Sequence, residues 1–440
     1  MIDKLLALNE RCTLVSQHLF ESLWEDVSLP DRGPIVKDLA DTSPGGAFDP
    51  RDLEKIPAKD LGYQPRWVPH RYTFYGLPWD ITGLKLKSLS PEADRFPWIV
   101  IINGGSANLY EFFLTPLNEP GWGQFLAQRM NVLIASIPGN FKYGGWAQSR
   151  STRTPQYLLD QDLPLEEVKV RNSFYTMKMV FEGLKRLVLQ ETTGDVLLVG
   201  HSTGGDVAFL GMADPEMAGR LKGRFLGWGS GGPSNLRREW EQGVGKWKGT
   251  VSKLSGYPPV WEVRTRDAED YAESGYVGPL NPCAGQDMND REIAERWLSV
   301  EDRRRPNFKQ VLQDVEHHGA SELKGKLERE MRETLSATRL SVSSEEVLND
   351  LFYTNQSPVT GYRKMIWTVG KWDKGHWHKT DIKKARELTI ANQFSGKDPK
   401  TETRVLVFDL PLTHYGHIEK PRQLAGGLYA AVQWLLLTPT

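Results

Sequence analysis

The chain has 440 residues, of which 39% are apolar and 25% charged, so a large core is expected and disorder or a collagen-like structure is excluded. Its 55 lysine and arginine residues balance 56 aspartate and glutamate residues to a net charge of −1, which excludes electrostatic capture of nucleic acid or anionic lipid. The length fits up to about three domains or one large α/β unit.

The cysteines and the N-terminus predict the cellular compartment. Cys12 and Cys283 form at most one disulfide, too few to hold a secreted scaffold together, and both suit a reducing cytoplasm. Glu10 and Arg11 interrupt the first apolar stretch, so we expect no signal peptide. No run approaches the roughly 18 apolar residues of a membrane span. We therefore expect a cytoplasmic protein with no membrane or nucleic-acid partner.

The first predicted unit is an N-terminal arm over residues 1–66. Within its first 26 residues, apolar side chains at helical spacing predict a helix packed on the main body: Leu5, Leu8, Cys12, Val15, Leu19 and Leu23. Segment 28–64 is rich in Pro, Gly and Asp, which predicts an irregular structure.

Predicted strands begin near Trp67. Segments 70–75 and 84–88 alternate polar and apolar residues, a pattern typical of antiparallel strands with one face in solvent. The later runs are almost continuously apolar, as strands covered on both faces are: 98–102, 132–137, 196–199, 224–228, 365–369 and 405–408.

Helix-length segments separate these strands. The clearest spans 165–190, and the last follows Pro421. The alternation predicts a doubly wound, mostly parallel α/β sheet that begins with an antiparallel hairpin. Between 228 and 365, charged helical patterns replace buried strands. We therefore predict a helical insertion at 234–360 that divides an α/β core into 67–233 and 361–440.

One motif predicts the chemistry. Gly200-His201-Ser202-Thr203-Gly204 matches Gly-x-Ser-x-Gly and follows a predicted strand directly. A sharp turn from strand to helix projects the serine hydroxyl above the sheet. It also brings the two glycine positions so close together that larger side chains are excluded.

This arrangement resembles the α/β-hydrolase superfamily over about 67–232 and 365–437. The resemblance implies that Ser202 is the nucleophile and that the backbone N–H of Thr203 binds the oxyanion. His201, beside the nucleophile, is expected to point away from the base position and to have a structural role near the substrate. Because Ser202 occupies the nucleophile position, the branches that use aspartate there are disfavoured.

A second oxyanion donor is expected after an earlier strand. Asn103-Gly104-Gly105-Ser106 is similar to the family's His-Gly-x loop, with Asn in the His position. The resemblance implies that the N–H of Gly105 is the second donor, with Ser106 as the alternative. Gly104 and Ser106 are also expected to contact the substrate.

The serine hydroxyl needs a general base, and the resemblance indicates His417. Gly416-His417 is similar to the family's Gly-His after the last strand, and His414 is the competing candidate. Gly370-Lys371-Trp372-Asp373 is similar to the Gly-x-x-Asp after the penultimate strand, which implies that Asp373 orients the base. Glu239 is a poor reserve for this role.

These roles predict hydrolysis of a carboxylic ester through an acyl-enzyme intermediate. An amidase, thioesterase, lactonase, C–C hydrolase or acyltransferase would use the same triad, and a non-catalytic binding protein is the alternative from another class. The insertion is expected to cap the pocket. Tryptophans in or near it favour a small apolar or aromatic-bearing substrate: Trp228, Trp240, Trp247, Trp261 and Trp297.

No cofactor or metal is expected. His317-His318 and the pair His376 and His378 both lack a third convergent ligand in the sequence. The sequence does not specify the oligomeric state, and a homo-oligomer is left open.

Overall fold

One nine-stranded sheet organises the described residues. The computed structural model describes residues 12–15, 50–74, 77–104, 112–113, 120–136, 176–222, 224–228, 363–370, 403–410 and 416–437. The strands are β1 (Cys12–Val15), β2 (Tyr63–Phe74), β3 (Leu77–Ser88), β4 (Trp98–Ile102), β5 (Val132–Ala135), β6 (Val196–His201), β7 (Arg224–Trp228), β8 (Arg363–Gly370) and β9 (Thr403–Leu410). Each apolar run predicted as a strand forms one.

The strand order is β1-β9-β8-β7-β6-β4-β5-β3-β2. β3 is antiparallel to both of its neighbours, β2 and β5, and the other described pairs are parallel. The predicted mostly parallel sheet with an initial antiparallel hairpin is therefore confirmed. From β4 the chain adds β5 on one side and later β6 on the other, which creates a switch point. Ligand crevices of open α/β sheets form at such points, beyond the carboxyl ends of the strands.

Helices cover both faces of this sheet. They are α1 (Ala58–Leu61), α2 (Trp122–Ala127), α3 (Met177–Glu191), α4 (Thr203–Leu210), α5 (Pro215–Leu221), α6 (Gly416–Glu419) and α7 (Pro421–Leu437), with 3-10 turns at Pro50–Lys55 and Ala93–Arg95. Every residue of β4, β5 and β6 is buried. Continuous apolar strands thus predict burial on both faces correctly, because each side of the pleat faces a packed helix layer.

The predicted helix 165–190 begins later than expected. Thr176 has an extended backbone, and its side chain accepts a hydrogen bond from the backbone N–H of Met179 at 3.1 Å. A residue of this kind caps a helix N-terminus, so α3 begins at Met177. The prediction that one helix continues through residue 176 is wrong, and residues 165–175 lie outside the described ones.

The N-terminal region also differs from its prediction. Cys12–Val15 is a strand that pairs in parallel with β9, whereas the apolar spacing predicts a helix there. Pairing with the edge of the sheet satisfies backbone groups that a short apolar segment must otherwise satisfy internally. β2 begins at Tyr63, inside the segment predicted as irregular, and contains Pro65 and Pro69. Because β2 is an edge strand, proline is tolerated in it.

Candidate active site

The predicted nucleophile lies in a strained turn at the switch point. β6 ends at His201, α4 begins at Thr203, and Ser202 between them has φ 52° and ψ −126°. Positive φ is unfavourable for a residue with a Cβ and is maintained only where surrounding contacts enforce it. Those contacts include a 2.8 Å hydrogen bond from the N–H of Ser202 to the carbonyl of Trp228 in β7, and a 2.9 Å bond from Gly205 to the carbonyl of Ser202.

Relieving this strain is expected to increase stability. Ser202→Gly removes the Cβ that makes positive φ costly, whereas Ser202→Ala retains it. We expect the free energy of unfolding of the glycine variant to be about 1 kcal/mol higher than that of the alanine variant. Denaturant unfolding of the two variants, both of which lack the hydroxyl, measures the difference. Equal stability would contradict the inferred strain.

Glycine on both sides of Ser202 permits the turn. A Cβ on Gly200 would lie 2.3 Å from the Cα of Gly205, and one on Gly204 would lie 2.3 Å from the carbonyl oxygen of Asn103. Both distances are far below van der Waals contact. The sequence-based expectation that only glycine fits at these two positions is therefore confirmed.

The end of β4 lies directly against the nucleophile. A Cβ on Gly104 would lie 2.8 Å from the Cβ of Ser202 and 3.0 Å from Nδ1 of His201. Asn103 is buried, and its side-chain amide donates a 3.0 Å hydrogen bond to the carbonyl of Gly104. The buried side chain of Asn103 thus holds the carbonyl of Gly104 in place. Gly105 and Ser106 lie outside the described residues, so their roles stay predictions.

The predicted base is brought to the same place from the far end of the chain. His417, in α6, is fully buried, and its ring centroid is 4.4 Å from that of His201, the residue next to Ser202. The expectation that His201 points away from the base position is therefore wrong, because its ring packs directly against the imidazole of His417. It also stacks on Phe112 and contacts the edge of Trp122, with centroids 4.5 Å and 5.7 Å away. Asp373, His414 and Glu239 lie outside the described residues, as does the predicted insertion.

A helix N-terminus faces this cluster from the turn. Thr203 is the first residue of α4, where backbone N–H groups have no partner within the helix and carry partial positive charge. Such donors suit a developing oxyanion. Sequence reasoning missed Asp206, which is 1% exposed in the first turn of α4. Its only sequence signal is an acidic residue close to a helix N-terminus.

Sequence reasoning also missed the aromatic surroundings of the base. Phe112 and Trp122 are buried beside His417, and Trp228, expected in or near the insertion, belongs to β7 and packs edge-on against Trp122 at 5.8 Å. Phe112 and Trp122 meet through the packing of the Phe112 backbone on the start of α2, and Trp228 reaches Trp122 through the sheet topology.

The described residues contain neither a cluster of metal-ligating side chains nor a membrane-spanning helix. In the described ranges, no three His, Cys, Asp or Glu side chains are close enough together to hold a metal ion. The histidines at 317, 318, 376 and 378 lie outside these ranges. None of the described helices is both long and apolar enough to cross a membrane.

Comparisons with known proteins find similarity in structure only. No protein-family model matches the sequence, and no curated protein matches it. A bacterial membrane phospholipase A is 14% identical over 84% of this chain and 86% of its own, with a TM-score of 0.38. A hydrolytic enzyme of Pseudomonas aeruginosa is 13% identical over 83% and 94%, with a TM-score of 0.36. A serine hydrolase of Cycloclasticus zankles is 12% identical over 83% and 97%, with a TM-score of 0.38.

The order and direction of the chain's own strands decide its fold. An antiparallel hairpin leads into a parallel sheet whose switch point lies between β4 and β6. A glycine-flanked serine with positive φ links β6 to α4 at that point. On these features, the chain has the α/β-hydrolase fold.

Proposed function

We propose that the protein is a serine hydrolase that cleaves a carboxylic ester through an acyl-enzyme. The observation that supports this most strongly is the strained Ser202 with the buried His417 ring beside its neighbour His201. A protein that only needed a strand-to-helix connection would gain stability by relaxing the serine, so its retained strain suggests a functional requirement. The burial of His417 suits a base that must exchange a proton away from bulk water.

In the proposed mechanism, His417 accepts the proton of the Ser202 hydroxyl as the serine oxygen attacks the ester carbonyl. The N–H groups of Thr203 and Gly105 stabilise the oxyanion. The imidazolium then protonates the leaving alkoxide, and water, activated by the same imidazole, releases the acid. We propose Asp373 as the carboxylate that orients His417 and stabilises its charge.

The proposed substrate is small and apolar or aromatic-bearing. Its support in the described residues is the aromatic character of the base's surroundings, formed by Phe112, Trp122 and Trp228. Esters are favoured over amides because an alkoxide leaves more readily than an amine. Amide, thioester, lactone and C–C bond hydrolysis use the same groups and are the alternatives that a substrate panel must separate.

A fluorophosphonate probe tests the proposal without knowledge of the natural substrate. We expect the folded protein to form one covalent adduct that peptide mass mapping assigns to Ser202. Heat-unfolded protein and Ser202→Ala are the controls, and neither should react. Folded wild-type protein that remains unlabelled, and that hydrolyses no member of a panel of esters, amides and thioesters, would favour the non-catalytic binding protein instead. Product analysis with an added alcohol or amine would reveal a transferase.

A further inference from the structure

The ring of His417 lies between aromatic partners from two other parts of the chain. Phe112 stacks on one face, with centroids 4.5 Å apart and the planes inclined by 20°. His201 packs at 4.4 Å and 58°, and Trp122 presents an edge at 5.7 Å and 70°. All four side chains are less than 3% exposed. The near-parallel stack distinguishes Phe112, because the other two rings are strongly inclined to the imidazole.

The position of Phe112 depends on two glycines at the start of α2. A Cβ on Gly121 would lie 2.4 Å from the carbonyl carbon of Phe112, and one on Gly123 would lie 2.8 Å from its carbonyl oxygen. Only residues without a side chain allow the Phe112 backbone to lie so close to this helix. The N–H of Gly121 donates a 2.8 Å hydrogen bond to the carbonyl of Phe113, which ties the segment to α2.

Buried polar side chains fix this segment further. The amide of Gln124 donates to the carbonyl of Phe113, and its oxygen accepts a 3.1 Å hydrogen bond from the hydroxyl of Tyr63 in β2. Burial raises the pKa of Tyr63 far above its usual value, so this phenol stays a donor. A second amide, Gln128, donates a 2.9 Å hydrogen bond to the carbonyl of Leu61. The bonds of Gln124 therefore anchor the segment that contains Phe112 to β2, the edge strand. These anchoring bonds do not involve Ser202.

We propose that Phe112 is a positioning residue for the reaction: its ring holds the imidazole of His417 in one plane and stabilises the imidazolium that forms when Ser202 loses its proton. This inference rests on the proposed function, because it assigns His417 the role of base. A cation over an aromatic face is attracted by the ring quadrupole, most strongly where water is excluded. Among the described residues, His201 is a titratable group that packs against His417 from the turn.

The test compares Phe112→Leu with Phe181→Leu. Phe181 is also buried, at 3% exposed, but it belongs to α3, so the second variant matches the first in chemistry without changing the stack. The rate of labelling by a fluorophosphonate is measured against pH for both variants, together with their melting temperatures. Replacement of Phe112 by 3,4,5-trifluorophenylalanine keeps the shape of the ring and removes most of its quadrupole, which covers the case of a leucine variant that fails to fold.

We expect Phe112→Leu to lower the labelling rate at its plateau about tenfold. The acidic limb of its profile of labelling rate against pH should move to lower pH by about half to one pH unit, because the protonated imidazole of His417 loses stabilisation. The trifluoro variant should move in the same direction, and Phe181→Leu should match wild type. Identical plateaus and acidic limbs in the Phe112 and Phe181 variants would overturn the proposal.

A second readout separates this inference from the proposed function. The imidazole of His417 is titrated by ¹⁵N NMR in wild type and in Phe112→Leu, with His417→Gln used to assign its signals. A lower titration midpoint of His417 in Phe112→Leu supports stabilisation of the imidazolium by Phe112. It does so even if the protein reacts with no probe, and in that case only the proposed function fails. An unchanged midpoint in a protein that is labelled at Ser202 overturns the role of Phe112 alone.

Discussion

Replacing Ser202 or His417 with alanine is expected to lower kcat/KM for an ester about 10,000-fold or more. In the proposed mechanism neither residue accelerates the reaction without the other, because the hydroxyl is a nucleophile only when the imidazole removes its proton. The double variant should therefore lose no more activity than either single variant. Kinetics of the three variants with a chromogenic ester measure the losses and their non-additivity.

Matched controls use a serine and a histidine from other parts of the fold. Ser88 is 7% exposed, as Ser202 is. It is the last residue of β3, which runs antiparallel to β5, so it lies at the end of the sheet where the parallel strands begin, whereas Ser202 follows the end of β6. His70 in β2 forms a 2.9 Å hydrogen bond between its Nε2 and a carboxylate oxygen of Glu191. Ser88→Ala and His70→Ala should keep activity within about twofold of wild type.

Two results would contradict the assigned pairing. Losses that add in the double variant would show that Ser202 and His417 act independently. Full activity in His417→Ala, with loss of activity in His414→Ala, would assign the role of base to His414.

Most of the sheet is predictable from local sequence, for a physical reason. A strand buried on both faces is apolar at most positions, so β4 to β7 are visible as short apolar runs, with His201 and Arg224 as exceptions at strand ends. The two ends of the sheet are harder to predict. The strand predicted at 70–75 matches only the second half of β2, which begins at Tyr63, and β1 has a spacing of apolar residues that also fits a helix. β1 gains its conformation from pairing with the distant strand β9, and β2 gains its conformation from pairing with β3 along its whole length.

The candidate site likewise has one part that local sequence predicts and another part that it does not. The position of Ser202 follows from a five-residue motif because only glycine fits at two of its positions: the turn itself excludes a side chain at Gly200, and the backbone at the end of β4 excludes one at Gly204. The approach of His417 to the turn at Ser202 was predicted only through the resemblance, since nothing in the local sequence of either residue requires it. Its packing against His201 was not predicted, because His201 was expected to point away from the base position. Phe112 was missed altogether, because its position depends on glycines later in the chain and on a helix that those glycines begin.

Gly204→Ala is expected to lower the free energy of unfolding by about 3 kcal/mol. The added methyl group would lie 2.3 Å from the carbonyl oxygen of Asn103 and 2.5 Å from that of Ile102. Both are backbone atoms at the end of β4, so no side-chain rotation relieves the overlap. Relief requires α4 to move away from β4, and this movement separates Ser202 from Gly104 and the loop that follows it.

The same variant is expected to lose activity beyond its loss of stability. A displacement of about 1 Å between Ser202 and the proposed oxyanion donor Gly105 is expected to reduce the rate about a hundredfold, even in the fraction of protein that remains folded. Denaturant unfolding and the initial rate of ester hydrolysis, measured at a temperature where the variant is folded, separate the two effects. A variant with wild-type stability and rate would show that β4 and α4 are farther apart than these distances indicate.

Gly219→Ala is the matched control for this prediction. Gly219 lies within α5, is exposed, and has open space around the position of a Cβ. Alanine costs less backbone entropy than glycine in a helix, so this variant should gain about 0.5 to 1 kcal/mol in unfolding free energy and keep full activity. The same substitution thus has opposite expected signs at the two glycines. The sign depends on whether the added methyl group meets solvent or the backbone of β4, the strand that ends beside Ser202.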